Sequence, residues 1–151
     1  MDRGQTAKKY FENGYNCAQA VLMAFSDVTG LDSKTSAMIS QSFGAGMGRL
    51  REVCGTFSGI IMVLGMVCGN DNPKDFNAKK ELYEKVQHLA KEFEKDNGSI
   101  ICRELLGLEQ KHSSPAPEKR TSEYYKKRPC PELVCYAANL LDSYLKELNE
   151  N

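Results

Sequence analysis

The chain has 151 residues, 41% hydrophobic and 26% charged, with 20 basic against 20 acidic side chains and no net charge. That length fits one domain with its own core, and the neutral balance excludes a general electrostatic draw to nucleic acid or an anionic membrane. The N-terminal MDRGQTAKKYFENG is polar and lacks the apolar stretch of a secretory leader, so a soluble, cytoplasmic chain is expected. Structural disulfides rarely persist in that reducing compartment. The six cysteines therefore ask for packing, metal or redox roles.

The pattern is helical nearly throughout, with no alternating strand. Ala7, Tyr10 and Phe11 predict a helix over 3–13, ended by Gly14. Asn16 with Gln19 reads as a capping box for a second helix, whose apolar face runs Cys17, Val21, Phe25, Val28 to Gly30. A third helix over 33–43 follows Asp32 and carries Met38, Ile39 and Phe43. FGAGMGRLREVCGTFSG, residues 43–59, reads as a glycine-rich turn entering a core helix over 54–68.

The uncharged run from Val53 to Asn70 is interrupted by four glycines. A spanning helix needs about 20 apolar residues, so a helix buried on all sides is expected rather than a membrane span. Asn72-Pro73 is expected to open a long helix to about 96, with Leu82, Val86, Leu89 and Phe93 as its stripe. Ser99 is expected to cap a short helix closed by Gly107. Residues 109–128 read as a polar loop whose length points to mobility or function. Within 113–129, Lys119, Arg120, Lys126, Lys127 and Arg128 outnumber Glu118 and Glu123, which reads as a solvated basic patch. The last helix opens at Cys130-Pro131 and has a wide apolar face from Leu133 to Leu148. No internal repeat is evident. The expected fold is all-α: one domain over 1–151, a bundle of about five to seven helices with a glycine-rich turn.

Placed on these helices, Cys17, Cys54, Cys102 and Cys130 all fall in, or next to, a first helical turn. Free N–H groups and the positive end of the macrodipole favour a thiolate there, so lowered pKa values are expected. Arg49 and Arg51 precede Cys54, Arg103 follows Cys102 and Arg128 precedes Cys130. Cys68 near a helix end and Cys135 inside the last helix read as small buried hydrophobes.

GYNCAQAVL, FGAGMGRLREVCGTFSG, CRELLG and CPELVCYAANLL resemble the redox-active protein family named for its four cysteines and a Cys-Gly-Ala-x-x-Gly element. The resemblance runs from about residue 14 to 145. It places the family's cysteines on Cys17, Cys54, Cys102 and Cys130, and its glycines on Gly55 and Gly59. Thr56 stands where the family has Ala, which keeps a small residue for close packing. The resemblance implies redox activity and no particular substrate.

Other motifs are weak. Gly44, Gly46 and Gly48 lack the Rossmann and P-loop spacings; a tight turn is expected, with backbone N–H groups, Arg49 and Arg51 able to hold an anion beside Cys54. No Cys-x-x-Cys is present, which removes thioredoxin-type exchange motifs and the common zinc-finger spacings. His88 and His112 read as surface residues. Three functions stay open. The first is thiol–disulfide exchange or electron transfer through the four cysteines, with Cys54 attacking, no cofactor, and a redox partner or small molecule as substrate. The second is a four-cysteine zinc or iron–sulfur site. The third is a non-enzymatic helical interaction protein. A homodimer is compatible with each.

Overall fold

The computed structural model describes residues 2–150. Among them the fold is an all-α bundle without a β-strand. No helix among them is long and apolar enough to cross a membrane.

Helix α1 (Arg3–Glu12) starts at Asp2, whose carboxylate accepts from the Gln5 N–H. It packs along α10 (Cys130–Glu150). A Cβ on Gly4 would stand 2.7 Å from the Cys135 carbonyl oxygen, so glycine sets how closely these helices approach. Helix α2 (Cys17–Met23) has the expected capping box of Asn16 and Gln19, and all its residues are buried. It packs on α6 (Gly55–Cys68).

The second helix does not run to Gly30. Arg3 Nη1 donates to the Ala24 carbonyl at 2.7 Å, and its guanidinium stacks 4.5 Å over the Phe25 ring. That takes an acceptor the helix would need to continue. A separate single turn, α3 (Ser26–Thr29), follows, and Val28 is exposed. Helix α4 (Ser33–Ser40) has the expected Asp32 cap and passes into a 3₁₀ turn, Gln41–Phe43. Met38 and Ile39 face solvent.

Helix α6 occupies the expected core position, with Cys54 as its N-cap. Gly55 through Ile60, Val63 and Leu64 are buried, but Met66 and Val67 are exposed. Burial on all sides therefore holds for the first part and fails at the last turn, which lies beyond the packed helices. Helix α7 (Phe76–Asn97) opens later than Asn72-Pro73, because Asp75 supplies the cap through the Ala78 N–H. Asn72 Oδ1 instead accepts from the Lys74 N–H in a preceding turn. The stripe is as expected: Leu89 and Phe93 are fully buried, with Leu82 and Val86 packed against the core. Gly98 ends this helix at φ 92°.

Helix α8 (Cys102–Leu105) is shorter than expected and Ile101, not Ser99, is its N-cap. Ser99 Oγ accepts from the Ile101 N–H and donates to Glu104. The expected 109–128 loop holds a helix, α9 (Ser122–Lys127). Thr121 caps it, Glu123 lies in its first turn and Lys126 and Lys127 in its last. Those are the charges that suit the two ends of a helix dipole.

Candidate functional site

Between the 3₁₀ turn and α6 the chain is left-handed over residues 45–49 and again at Arg51. Its hydrogen bonds close one short turn, α5 (Gly44–Met47), yet Ala45 and Gly46 lie at φ 56° and 69°. Met47, Gly48, Arg49 and Arg51 also have positive φ, at 69°, 63°, 68° and 59°. A left-handed residue with a Cβ costs roughly 1–2 kcal/mol, so surrounding contacts must hold the segment in place. They do so through Gly48 N–H to Gly44 O at 2.9 Å, Glu52 N–H to Gly46 O at 2.9 Å and Ser113 N–H to Arg49 O at 2.8 Å. Gly46 is required sterically as well, since a Cβ there would lie 2.6 Å from the Cys102 Cβ.

This turn delivers the chain to an isolated antiparallel bridge between Val53 and Ile101. Cys54 N–H donates to Ile100 O at 2.7 Å, and Cys102 N–H to Glu52 O at 2.6 Å. Cys54 and Cys102 therefore flank one bridge, each at the start of a helix. Cys17 and Cys130 are the first residues of α2 and α10. The four helix starts converge on one cavity of about 460 Å³, lined by all four cysteines. Cys17 Sγ lies against Gly55, where a Cβ would overlap it and stand 3.0 Å from Phe43 O. Gly59 serves likewise in the next turn, with Val21 Cβ 2.8 Å from where its own Cβ would be. The glycines thus bring α6 against α2.

The expected lowering of thiol pKa values is not found at three of the four positions. Burial pushes Cys17 up, against opposing backbone N–H groups. Burial, then the negative charge of a Cys17 thiolate, pushes Cys54 up to about 12. The same two causes push Cys130 up to about 12, opposed by a hydrogen bond from Tyr124. The helix-start effect is real but desolvation outweighs it. At the bridge, the Cys54 and Cys102 N–H groups are already committed to carbonyls and do not point freely at sulfur. Cys54 Sγ also shares a 3.1 Å hydrogen bond with Thr56 Oγ1.

Arg51 is 3% exposed and lines the cavity. Its Nε donates to Ser113 Oγ at 3.0 Å, and its Nη1 lies 3.6 Å from Cys102 Sγ. Its Nη2 is buried with no hydrogen-bond partner among the described residues. Arg49 also lines the cavity, donating to Ser114 O. Arg103, expected to support Cys102, pairs instead with Glu52 at 3.0 Å and does not line the cavity. The salt bridge outside the site takes its guanidinium away from the thiol.

Within 113–129, Lys119, Lys126 and Lys127 are solvent-exposed as expected, but Arg120 and Arg128 are drawn onto the cavity, a contribution the local sequence does not reveal. Arg120 lies 3.9 Å over the Phe11 ring and donates to Phe11 O at 2.6 Å and Tyr15 O at 3.0 Å. Arg128 pairs with Glu118 at 3.0 Å. Together with Tyr124 these residues wall the cavity. No local pattern in the chain marks Arg120, because its partners are about a hundred residues away. Cys68, Cys135, His88 and His112 do not line this cavity.

All six cysteines are free thiols. Among the described residues, no group of three or more His, Cys, Asp or Glu side chains is placed to hold a metal ion.

A family model described as "Putative redox-active protein (C_GCAxxG_C_C)" matches residues 15–144. The chain belongs to this redox-active family. A redox role follows from that membership at a general level. No curated protein and no solved structure matches the chain.

Proposed function

We propose that this member of the family exchanges thiols with a disulfide substrate inside the cysteine cavity. The observation that carries the reading is the convergence of Cys17, Cys54, Cys102 and Cys130, from four separate helix starts, on one cavity. Buried cysteines that served packing alone would have no reason to share a cavity wall. Cys102 is the initiating thiol, because the buried Arg51 guanidinium beside its sulfur stabilises negative charge there. This departs from the Cys54 expectation, since burial holds Cys54 protonated at neutral pH.

The reaction balances as an exchange. The Cys102 thiolate attacks one sulfur of the substrate disulfide, forming a mixed disulfide and releasing one substrate thiolate. Cys54, on the other side of the bridge, then gives up its proton and attacks the Cys102 sulfur. An intramolecular disulfide forms and a second substrate thiolate leaves. Two electrons pass from protein to substrate, and the two protein protons end on the released thiols. Opening the cavity, or a shift of the bridge, must let the two sulfurs meet. Cys17 lies close enough to impose its charge on both Cys54 and Cys130, and Cys17 with Cys130 supplies a second pair.

Incubation of reduced protein with a small disulfide, followed by peptide mapping, tests the reading. A Cys54–Cys102 disulfide and two equivalents of released thiol are expected. Protein that stays fully reduced overturns it. Protein that leaves anaerobic purification coloured, with iron and sulfide bound to these thiols, replaces exchange with electron transfer through a cluster.

A further inference from the structure

The charge of the cavity wall is one-sided, and one part of it is unmet. Arg49, Arg51, Arg120 and Arg128 line the cavity against a single carboxylate, Glu118. These arginines differ in how fully they are used. Arg128 is neutralised by Glu118 at 3.0 Å. Arg120 spends its donors on the Phe11 and Tyr15 carbonyls. Arg51 has no carboxylate partner among the described residues, yet it is the most buried of the group. Burying a cation without an anion is costly, and a buried donor without an acceptor adds to that cost. Arg51 Nη2 is such a donor. The segment that carries Arg51 is itself held in left-handed backbone, at φ 59° for this residue. A guanidinium kept there against both penalties fits a site completed by a ligand.

We infer that the cavity takes an anionic small molecule whose oxyanion group, a carboxylate, phosphate or sulfonate, pairs with Arg51 Nη2 next to Cys102. This rests on the exchange reading only in making that molecule the disulfide or thiol that reacts. Arg49 adds positive charge on the same wall; its own guanidinium is disfavoured first by burial and then by the charge of Arg51, as expected where cations outnumber their partners. The cavity volume of about 460 Å³ lies within the usual span for small-molecule sites. Arg51 would then serve twice: Nη1 steadies the Cys102 sulfur while Nη2 draws the substrate's charged end to the same corner. An anion on Nη2 would also finish the hydrogen bonding of a guanidinium that Ser113 and Cys102 leave incomplete.

Three disulfides of matched chain length separate the possibilities: dithiodipropionate, bis(2-hydroxyethyl) disulfide and cystamine, which are anionic, neutral and cationic. Reduced wild-type protein is expected to react with the anionic disulfide about tenfold faster than with the neutral one, and slowest with the cation. Arg51→Gln is expected to remove that preference and Arg51→Lys to keep most of it. Equal rates for all three disulfides in wild type overturn the inference while leaving exchange intact. Binding is measured separately by calorimetry, with a Cys102→Ser variant that cannot start exchange and with dithiodipropionate or inorganic phosphate as ligand. Binding there without exchange in wild type keeps the anion site and removes the redox reading. No binding of either anion likewise overturns the anion site. Phosphate binding without dithiodipropionate binding assigns the group to phosphate rather than carboxylate. If the Arg51 variants do not fold, loss of the wild-type preference on adding phosphate carries the same decision.

Discussion

Arg51 Nη1 lies 3.6 Å from Cys102 Sγ, and both residues are more than nine-tenths buried. A guanidinium in that position puts a positive charge directly beside the sulfur. It separates Cys102 from Cys54, whose sulfur hydrogen-bonds the neutral Thr56 hydroxyl. Alkylation of reduced protein by iodoacetamide at neutral pH, followed by mass spectrometry, should therefore label Cys102 before Cys54. Arg51→Gln should slow labelling at Cys102 by about tenfold. Earlier labelling of Cys54 would contradict the assignment.

Alkaline pH should weaken the fold. Cys17, Cys54 and Cys130 have pKa values raised by burial in the folded chain, whereas unfolded thiols titrate near 8.5. Between about pH 9 and pH 12 the unfolded state therefore holds fewer protons than the folded one. Stability must fall as pH rises through that window, by up to roughly 1 kcal/mol per pH unit for each thiol. Below the unfolded value the effect vanishes, because both states keep their protons. Urea midpoints measured between about pH 8 and pH 11 should show a steeper fall in wild type than in Cys54→Ser. Parallel slopes would place the Cys54 thiol in contact with water.

The glycines of α6 should respond in opposite directions. Gly55→Ala puts a Cβ onto Cys17 Sγ and within 3.1 Å of the Ala18 nitrogen, so a loss of about 1–3 kcal/mol is expected from forced repacking. Gly59→Ala meets Val21 and should behave alike. Gly65 is exposed and has nothing within 4 Å of its missing Cβ. Gly65→Ala should raise stability by roughly 0.5–1 kcal/mol through helix propensity alone. Chemical denaturation of the three variants checks all three signs.

Arg120 joins the segment before α9 to α1 by its stack on Phe11 and a hydrogen bond to the Phe11 carbonyl, and to the turn after α1 by a hydrogen bond to the Tyr15 carbonyl. Removing it in Arg120→Ala should cost about 2 kcal/mol. It should also open residues 115–121 to limited proteolysis, because the hydrogen bonds from Arg49 and Arg51 hold only Ser113 and Ser114 ahead of them. A protease pattern identical to wild type would show that Arg128 and its Glu118 partner suffice.

Much of the fold was legible in local chemistry. The Asn16–Gln19 capping box, the Asp32 cap and the stripe from Leu82 to Phe93 all depend on residues near one another in the chain. At two helix ends a distant partner overrides the local pattern, whereas at the start of α7 the nearby Asp75 does so. Arg3 ends α2 early, and the bridge to Val53 makes Ile101 rather than Ser99 the residue that opens α8. Helix α9 is a different case: its Thr121 cap and end charges were present in the chain, but the prolines and polar composition before it masked them.

The four cysteines divide the same way. Their places at helix starts, and their separation from Cys68 and Cys135, follow from caps, glycines and prolines in the chain itself. Their joint enclosure in one cavity was decided only when the left-handed turn and the Val53–Ile101 bridge brought distant segments together. The ionisation of the thiols was decided there too. A helix dipole acts locally and can be anticipated from sequence, but desolvation depends on every element packed around the sulfur. At Cys17, Cys54 and Cys130 the packing outweighs the dipole.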